Sequence, residues 1–176
     1  MRFVDLLRTA VLLCGGAAST LAVLCLIGAS QDADEKLVVY ATAWWLIASI
    51  LGSYLGRRNE ASPPIARLLA DSKAATMMPE LRPGAVVVNR LWPLLVATLL
   101  AGGLAFLAPQ IPGIAAGFTI LWALTWRRQD QAVVAIEERD GVQFYVERTS
   151  PLQPVKLVRV PGLRREVPSL DGVPRP

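Results

Sequence analysis

The sequence predicts a mainly α-helical membrane protein with four transmembrane helices and a small cytoplasmic β-meander, a hairpin plus a third strand, towards the C-terminal end. Charged residues make up 18% of the 176-residue chain, below the roughly 25% typical of a soluble domain. Residues 91–126 contain no charge of either sign. Such runs suit lipid, where each charge at mid-bilayer costs about 2.5–3.5 kcal/mol on insertion scales. An alternating apolar pattern, typical of strands, follows the last run.

Four apolar segments have the composition of membrane spans. A span needs about 20 apolar residues, with a range of about 17–25. The predicted spans are residues 5–29, 37–56, 91–108 and 111–126. The last two are short, and "APQIPG" between them predicts a helical hairpin with a tight Pro-Gly turn. A cleaved signal peptide is the alternative interpretation of the first segment, but its apolar stretch exceeds the usual length of roughly 7–15 residues.

The positive charges predict how these spans are oriented. Lys36 lies in the loop between the first two spans, and the other 17 of the 18 Lys and Arg lie at the N-terminal end (Arg2 and Arg8), in the loop 57–90 or after residue 126. An even number of spans places those three segments on one side, so we expect both termini in the cytoplasm. The excess of 15 Arg over 3 Lys favours a GC-rich coding sequence and a bacterial plasma membrane.

Small residues recur at the spacing that permits close helix contact. Gly52 with Gly56, and Gly113 with Gly117, form two small-xxx-small pairs, which bring helix backbones together in lipid. We predict that these four glycines pack the helices into a compact bundle or into a homo-oligomer. Hydroxyl side chains inside the spans are expected to bond back to their own helix or across to a neighbouring helix. Away from their edges, the spans carry no charge that could mark an ion path or a proton relay.

The loop 57–90 is too long for a simple connector. The segment "PPIARLLADSKAATMM" has Pro63-Pro64 at a typical helix start after Ser62. One helical face, which Ser72 interrupts, would carry Ile65, Leu68, Leu69 and Ala75. This helix is interpreted as lying on the membrane surface or on a partner, or as packing on the protein's own tail. Residues 86–88 are three consecutive valines, interpreted as a short strand that can join a sheet.

Residues 127–168 are predicted to form a small cytoplasmic β subdomain, followed by a disordered tail over 169–176. Apolar residues alternate through "AVVAIEERDGVQFYVER" from Ala132, as in a hairpin with one apolar face. Residues 139–141 are the predicted turn, with Gly where a G1 bulge requires it. Residues 155–160 are the predicted third strand. The apolar face, our candidate face for a partner, comprises Val134, Ile136, Val142, Phe144 and Val146.

No constellation of residues points to catalysis. The chain has no His, the commonest general base and metal ligand. Glu137, Glu138 and Asp140 form an acidic cluster, but the neighbouring Arg139 and Arg148 favour ordinary solvated ion pairs over a metal site. Neither a phosphate-binding Gly-rich loop nor a zinc-binding spacing occurs. We therefore expect no enzymatic activity, no cofactor and no metal.

Two classes of function fit these features best. The favoured one is a non-enzymatic scaffold, regulatory or assembly subunit in the lipid bilayer, which uses its β subdomain to contact a partner protein. The alternative is an oligomeric transporter or channel component, because four spans are few for a pore within one chain. A lipid-modifying enzyme is disfavoured by the lack of His and of intramembrane acids. Many basic residues sit at the edges of apolar segments, so no nucleic-acid partner is expected.

Overall fold

The computed structural model of the protein describes residues 1–31, 35–57, 60–74, 83–147 and 153–161. The helices and strands in these residues are α1 (Phe3–Gln31), α2 (Glu35–Leu55), α3 (Pro63–Ala70), β1 (Lys73–Ala74), α4 (Pro83–Gly103), α5 (Gln110–Trp126), α6 (Gln129–Asp140), β2 (Val142–Val146) and β3 (Leu157–Pro161). A 3-10 turn over Leu104–Phe106 continues α4. The fold is therefore mainly helical with a small sheet.

Three helices are long and apolar enough to cross a membrane, namely Phe3–Gln31, Glu35–Leu55 and Gly84–Phe106. They correspond to the first three predicted spans. Helix α5, with 17 residues, is at the lower limit of the roughly 17–25 residues that a span needs. A fourth crossing therefore stays a prediction.

Helix α5 is the central helix of the bundle and packs along both α1 and α2. Its buried residues recur at helical spacing on the faces that meet these neighbours, and they are Pro112, Gly113, Ala116 and Gly117. Helix α4 contacts α1 and α5 more sparsely, and most of its side chains are exposed or half-buried. The bundle therefore has a tightly packed three-helix part and one peripheral helix.

Helix α4 begins earlier than the sequence suggests. Residues 86–88 are helical, so the strand predicted there is wrong and α4 takes up the end of the predicted loop 57–90. Val86 is buried while Val88 is exposed, which is the one-sided burial of a helix that packs against a core. This packing overrides the intrinsic β preference of valine.

The predicted hairpin is wrong in its first arm. Residues 129–140 form α6, and Gly141 ends the helix with φ 63° and ψ 32°, donating its N–H to the Glu137 carbonyl. Gly in this left-handed conformation commonly follows a helix, so Asp-Gly here terminates a helix instead of turning a hairpin. Buried positions at Gln129, Val133 and Glu137 recur every four residues, as on one face of a helix.

Strand β2 pairs antiparallel with β3, and Val146 lies opposite Leu157. The third strand predicted over residues 155–160 corresponds to β3. Strand β1 pairs with β3 in parallel, so the strand order is β1-β3-β2. The sheet is therefore mixed, and the predicted meander is wrong. The predicted disordered tail, residues 169–176, lies outside the described residues.

The N-terminus covers the outer edge of β2. Arg2 forms a bridge with Tyr145, and the Val146 N–H donates to the Met1 carbonyl at 3.2 Å. These contacts join the start of the chain to the sheet near its end. The edge of β2 therefore has its main-chain groups partly satisfied within the molecule.

The main hydrophobic core lies at the end of the bundle that carries the sheet, and we call it the sheet-end core. It gathers the first turns of α1, the start of α4, and residues from α3, α6 and the sheet. Its buried members are Phe3, Val4, Leu6, Leu7, Ile65, Leu69, Val86, Val133, Phe144, Val146 and Leu157. Segments from the N-terminus, the second loop and the tail thus meet at one end of the bundle.

Candidate functional site

The first pair of predicted packing glycines lies where α2 meets α5. A Cβ added to Gly52 would stand 2.9 Å from Leu124 Cβ and 3.0 Å from the Leu121 carbonyl oxygen. Gly56 lies directly against the Leu124 carbonyl. Since neither position has room for a side chain, both glycines permit a close approach of the two backbones.

The second pair lies on α5 itself and faces two different helices. A Cβ added to Gly113 would stand 2.8 Å from Cys25 Sγ on α1. Gly117 lies against the indole ring of Trp44 on α2. The four glycines therefore lie in contacts within one chain. We call the contact of α5 with α1 and α2 the α5 seam.

Two tryptophans reinforce this seam by hydrogen bonds. Trp44 Nε1 donates to the Ile114 carbonyl at 3.1 Å, and Trp45 Nε1 donates to the Gly113 carbonyl at 2.8 Å. Sequence reasoning did not predict this role for the two tryptophans. The available signal was the indole N–H itself, because a buried polar group needs an acceptor in an apolar environment.

The candidate partner face is covered by the protein's own helices. Phe144 and Val146 are 2% and 0% exposed and belong to the sheet-end core. Val142, Val134 and Ile136 pack against the same core, the last two from α6 rather than from a facing strand. The face therefore packs against the first turns of α1 within the same chain.

One carboxylate is buried at the sheet end. Glu137 is 5% exposed, and its Oε2 accepts a hydrogen bond from Arg2 Nη2 at 2.6 Å. Its Oε1 accepts from the Phe144 N–H at 2.9 Å. The hydrogen bond to this carboxylate raises the pKa of the Arg2 guanidinium above its ordinary value. Both carboxylate oxygens thus have partners, as burial requires.

This carboxylate connects α6, β2 and the residue that precedes α1. The sequence assigned Glu137 to a solvated acidic cluster, and that assignment is wrong. Arg139 and Asp140 do form an exposed pair, with Nε and Oδ1 2.8 Å apart. Glu137 lies four residues after the buried Val133, a spacing that places both residues on one face of a helix. This signal could be recognised only if the segment was interpreted as a helix.

The start of α6 is tied to two other parts of the chain. The buried Gln129 accepts a hydrogen bond from the Ser62 N–H at 2.8 Å and donates to the Glu60 carbonyl at 3.4 Å. Arg8 Nε on α1 pairs with Asp130 Oδ2 at 2.9 Å. Together with Glu137, these contacts fix the orientation of α6 relative to α1 and α3.

A cavity of about 410 Å³ lies between α1, α4 and α5 on their halves nearest the sheet end. Cys14 lines it from α1, Trp122 and Trp126 from α5, and Pro93 and Arg90 from α4. The wall is almost entirely apolar, and Arg90 is the one basic residue among the described residues that line it. The cavity is therefore an apolar slot with one basic group.

Arg90 is held at the cavity by the segment before β3. Its Nη1 donates to the Gln153 carbonyl at 2.7 Å. Trp122 and Trp126 form the opposite wall, with ring centroids 5.7 Å apart. The sequence placed Arg90 only as a loop charge and gave no indication that it would line an inter-helix cavity, because α4 was predicted to start after it.

Several hydroxyl groups of the spans donate hydrogen bonds to their own helices. Ser49 Oγ donates to the Trp45 carbonyl at 2.7 Å, and Thr98 Oγ1 donates to the Leu94 carbonyl at 2.8 Å.

Among the residues that the structure describes, no three Cys, Asp or Glu side chains are grouped to hold a metal ion.

No protein-family model matches the sequence, and no curated protein or solved structure shows significant similarity to it.

Proposed function

We propose that the chain is an integral protein of a bacterial plasma membrane that crosses the bilayer four times, with both termini in the cytoplasm. We further propose that it acts without catalysis, as a scaffold, regulatory or assembly subunit for a partner protein. The charge distribution supports the orientation, because 17 of the 18 Lys and Arg lie outside the first loop. The sheet-end core supports it as well, since the N-terminus, α3 and the sheet meet there.

The path of α5 supports the fourth crossing. Its preceding residue Pro109 packs on Gly28 near the end of α1, and Asp130, just beyond α5, pairs with Arg8 near the start of α1. Residues 8 to 28 of a helix extend about 30 Å at 1.5 Å per residue, the thickness of a hydrocarbon core. This length supports a fourth crossing by α5 with its flanking residues.

The observation that carries the partner proposal is the exposed edge of the sheet. Both residues of β1, Lys73 and Ala74, are exposed, and β1 is the outer strand on that side of the described sheet. An edge strand can bind a partner strand through main-chain hydrogen bonds. Because Glu137 fixes the sheet to the bundle, this edge would be presented at a constant position beside the membrane.

Site-specific cross-linking tests this proposal. A photo-reactive amino acid replaces Ala74 in the full chain, expressed in its native membrane, and Glu138 on the exposed face of α6 is the matched control position. We expect one reproducible cross-linked protein from position 74 and none from position 138. Equal labelling at both positions, or no product from either with a monomer in native mass spectrometry, would refute the edge as a partner site.

The oligomeric transporter or channel receives less support. The span hydroxyls of Ser49 and Thr98 bond to their own helices, and so offer little to line a polar path. A cross-linked product with twice the mass of the chain, together with ion or solute flux in liposomes, would favour the transporter over the scaffold.

A further inference from the structure

We propose that the cavity between α1, α4 and α5 binds one acyl chain of an anionic phospholipid, whose phosphate group lies against Arg90. This binding site is separate from the exposed sheet edge and does not depend on the scaffold function. Four features of the cavity support it: its volume, its apolar wall, the loose packing of α4 and the position of the basic group.

A cavity of about 410 Å³ is large enough to hold part of a lipid chain. Phe118, Trp122 and Trp126 line the cavity from successive turns of α5, which extend about 12 Å along the helix axis. A hydrocarbon chain can lie along this row of side chains.

The wall chemistry agrees with hydrocarbon. Cys14, Leu94 and Phe118 present apolar surface to the cavity, and the hydroxyl of Thr119, which also lines it, donates to the Ala116 carbonyl at 2.8 Å. A polar solute would leave its own groups without partners against this wall. The occupant that suits the wall therefore has a long apolar part.

The position of α4 gives a lipid access from the side. Gly15 and Gly16, which follow Cys14 on α1, would meet nothing within 4 Å if they carried a Cβ. Pro93 removes one backbone donor within α4, and α4 contacts the other spans only sparsely. The slot is therefore bordered by a helix that the rest of the bundle holds weakly.

Arg90 determines which lipid is favoured. A lipid tail that enters the slot exchanges contact with other lipid tails for contact with the apolar wall. The hydrophobic effect therefore contributes little selectivity within a bilayer. A guanidinium forms short, charge-assisted hydrogen bonds with phosphate oxygens, and basic pockets between spans bind anionic headgroups at the cytoplasmic side. Arg127, directly after Trp126, adds positive charge at the same end. The expected ligand is thus an anionic lipid rather than a zwitterionic one.

Native mass spectrometry of the purified full chain tests this site. The protein in detergent is titrated with phosphatidylglycerol and, separately, with phosphatidylcholine that has identical acyl chains. We expect the first phosphatidylglycerol to bind about tenfold more tightly, equivalent to about 1.4 kcal/mol. Equal affinity of the wild-type chain for both lipids would overturn the proposal without any need for a variant.

Variants then locate the site. Cys14→Phe should fill the slot and abolish the first bound lipid, whereas Leu12→Phe, at a position that is 75% exposed on the same helix, should bind as the wild type does. Arg90→Gln should reduce phosphatidylglycerol binding to the phosphatidylcholine level, and Arg90→Lys should retain the preference. Unchanged binding by Cys14→Phe, or a lipid-free dimer of the wild-type chain, would contradict an acyl chain in this slot.

Discussion

The α5 seam and the sheet-end core join helices by opposite means. In the seam, contact depends on missing side chains, because Gly52, Gly113 and Gly117 allow a neighbour to occupy the place of a Cβ. In the sheet-end core, contact depends on large apolar side chains such as Phe3 and Phe144, packed beside one buried carboxylate.

The difference agrees with the proposed topology, in which the seam lies in lipid and the sheet end lies in water. Lipid tails are as apolar as a leucine side chain, so helices in a bilayer associate through close packing and interhelical hydrogen bonds. Outside the bilayer, water drives large apolar side chains together. The seam should therefore be most sensitive to added volume, and the sheet end to lost hydrogen bonds and lost apolar surface.

Replacing Gly117 with Leu should have the largest effect. The new side chain would displace the Trp44 ring and break its hydrogen bond to the Ile114 carbonyl, at a cost of about 3 kcal/mol in the free energy of unfolding. Thermal unfolding in detergent, followed by circular dichroism, measures it. Gly15→Leu is the control, since nothing lies within 4 Å of that position; similar losses in both variants would contradict a tight seam.

Glu137→Ala should weaken the sheet end and spare the seam. It leaves the Phe144 N–H without its acceptor, and the loss should be about 2 kcal/mol, below that of a fully buried pair because the Arg2 side chain is 40% exposed. Hydrogen exchange should accelerate in β2 and stay unchanged in α5. The matched control is Glu138→Ala on the exposed face of α6; accelerated exchange throughout α5 would argue against two separate regions.

The sequence was informative where structure depends on local composition. The first three spans could be predicted from the length and hydropathy of their segments, because the cost of burying charge in lipid acts on each segment alone. Spacing also identified Gly52 and Gly113 as residues at helix contacts, but it could not say which helices would meet. That choice depends on the tertiary position of α5, between α1 and α2.

The sequence misled where one residue type serves two local structures. Gly141 in a left-handed conformation suits a hairpin turn and a helix end equally, and the alternation around it favoured the hairpin. The deciding contact joins Glu137 to Arg2, 135 residues away in the chain. Such a partner is invisible to local patterns, so both α6 and the cavity at Arg90 required the three-dimensional fold.

Trp45→Phe offers a finer test of the seam. Phe keeps most of the apolar surface but lacks the indole N–H that donates to the Gly113 carbonyl, so the expected loss is about 1 kcal/mol. Trp92→Phe on the exposed part of α4 should change the free energy of unfolding by much less. Equal stability of the two variants, measured by circular dichroism, would mean that this hydrogen bond adds nothing to the seam.

The smallest expected effect concerns the exposed pair at the end of α6. The hydrogen bond from Arg139 lowers the pKa of Asp140 below its ordinary value of 3.8, and the charge of Arg159 acts in the same direction. A carboxylate with a lowered folded-state pKa stabilises the fold above its unfolded-state value and loses that contribution as pH falls through the folded-state value. An NMR titration of Asp140 should give a midpoint below 3.8, and Arg139→Gln should raise it, whereas Arg127→Gln should leave it unchanged. Because both side chains of the pair are exposed, Arg139→Gln should lower the free energy of unfolding much less than Glu137→Ala does. A larger loss for Arg139→Gln would contradict this order.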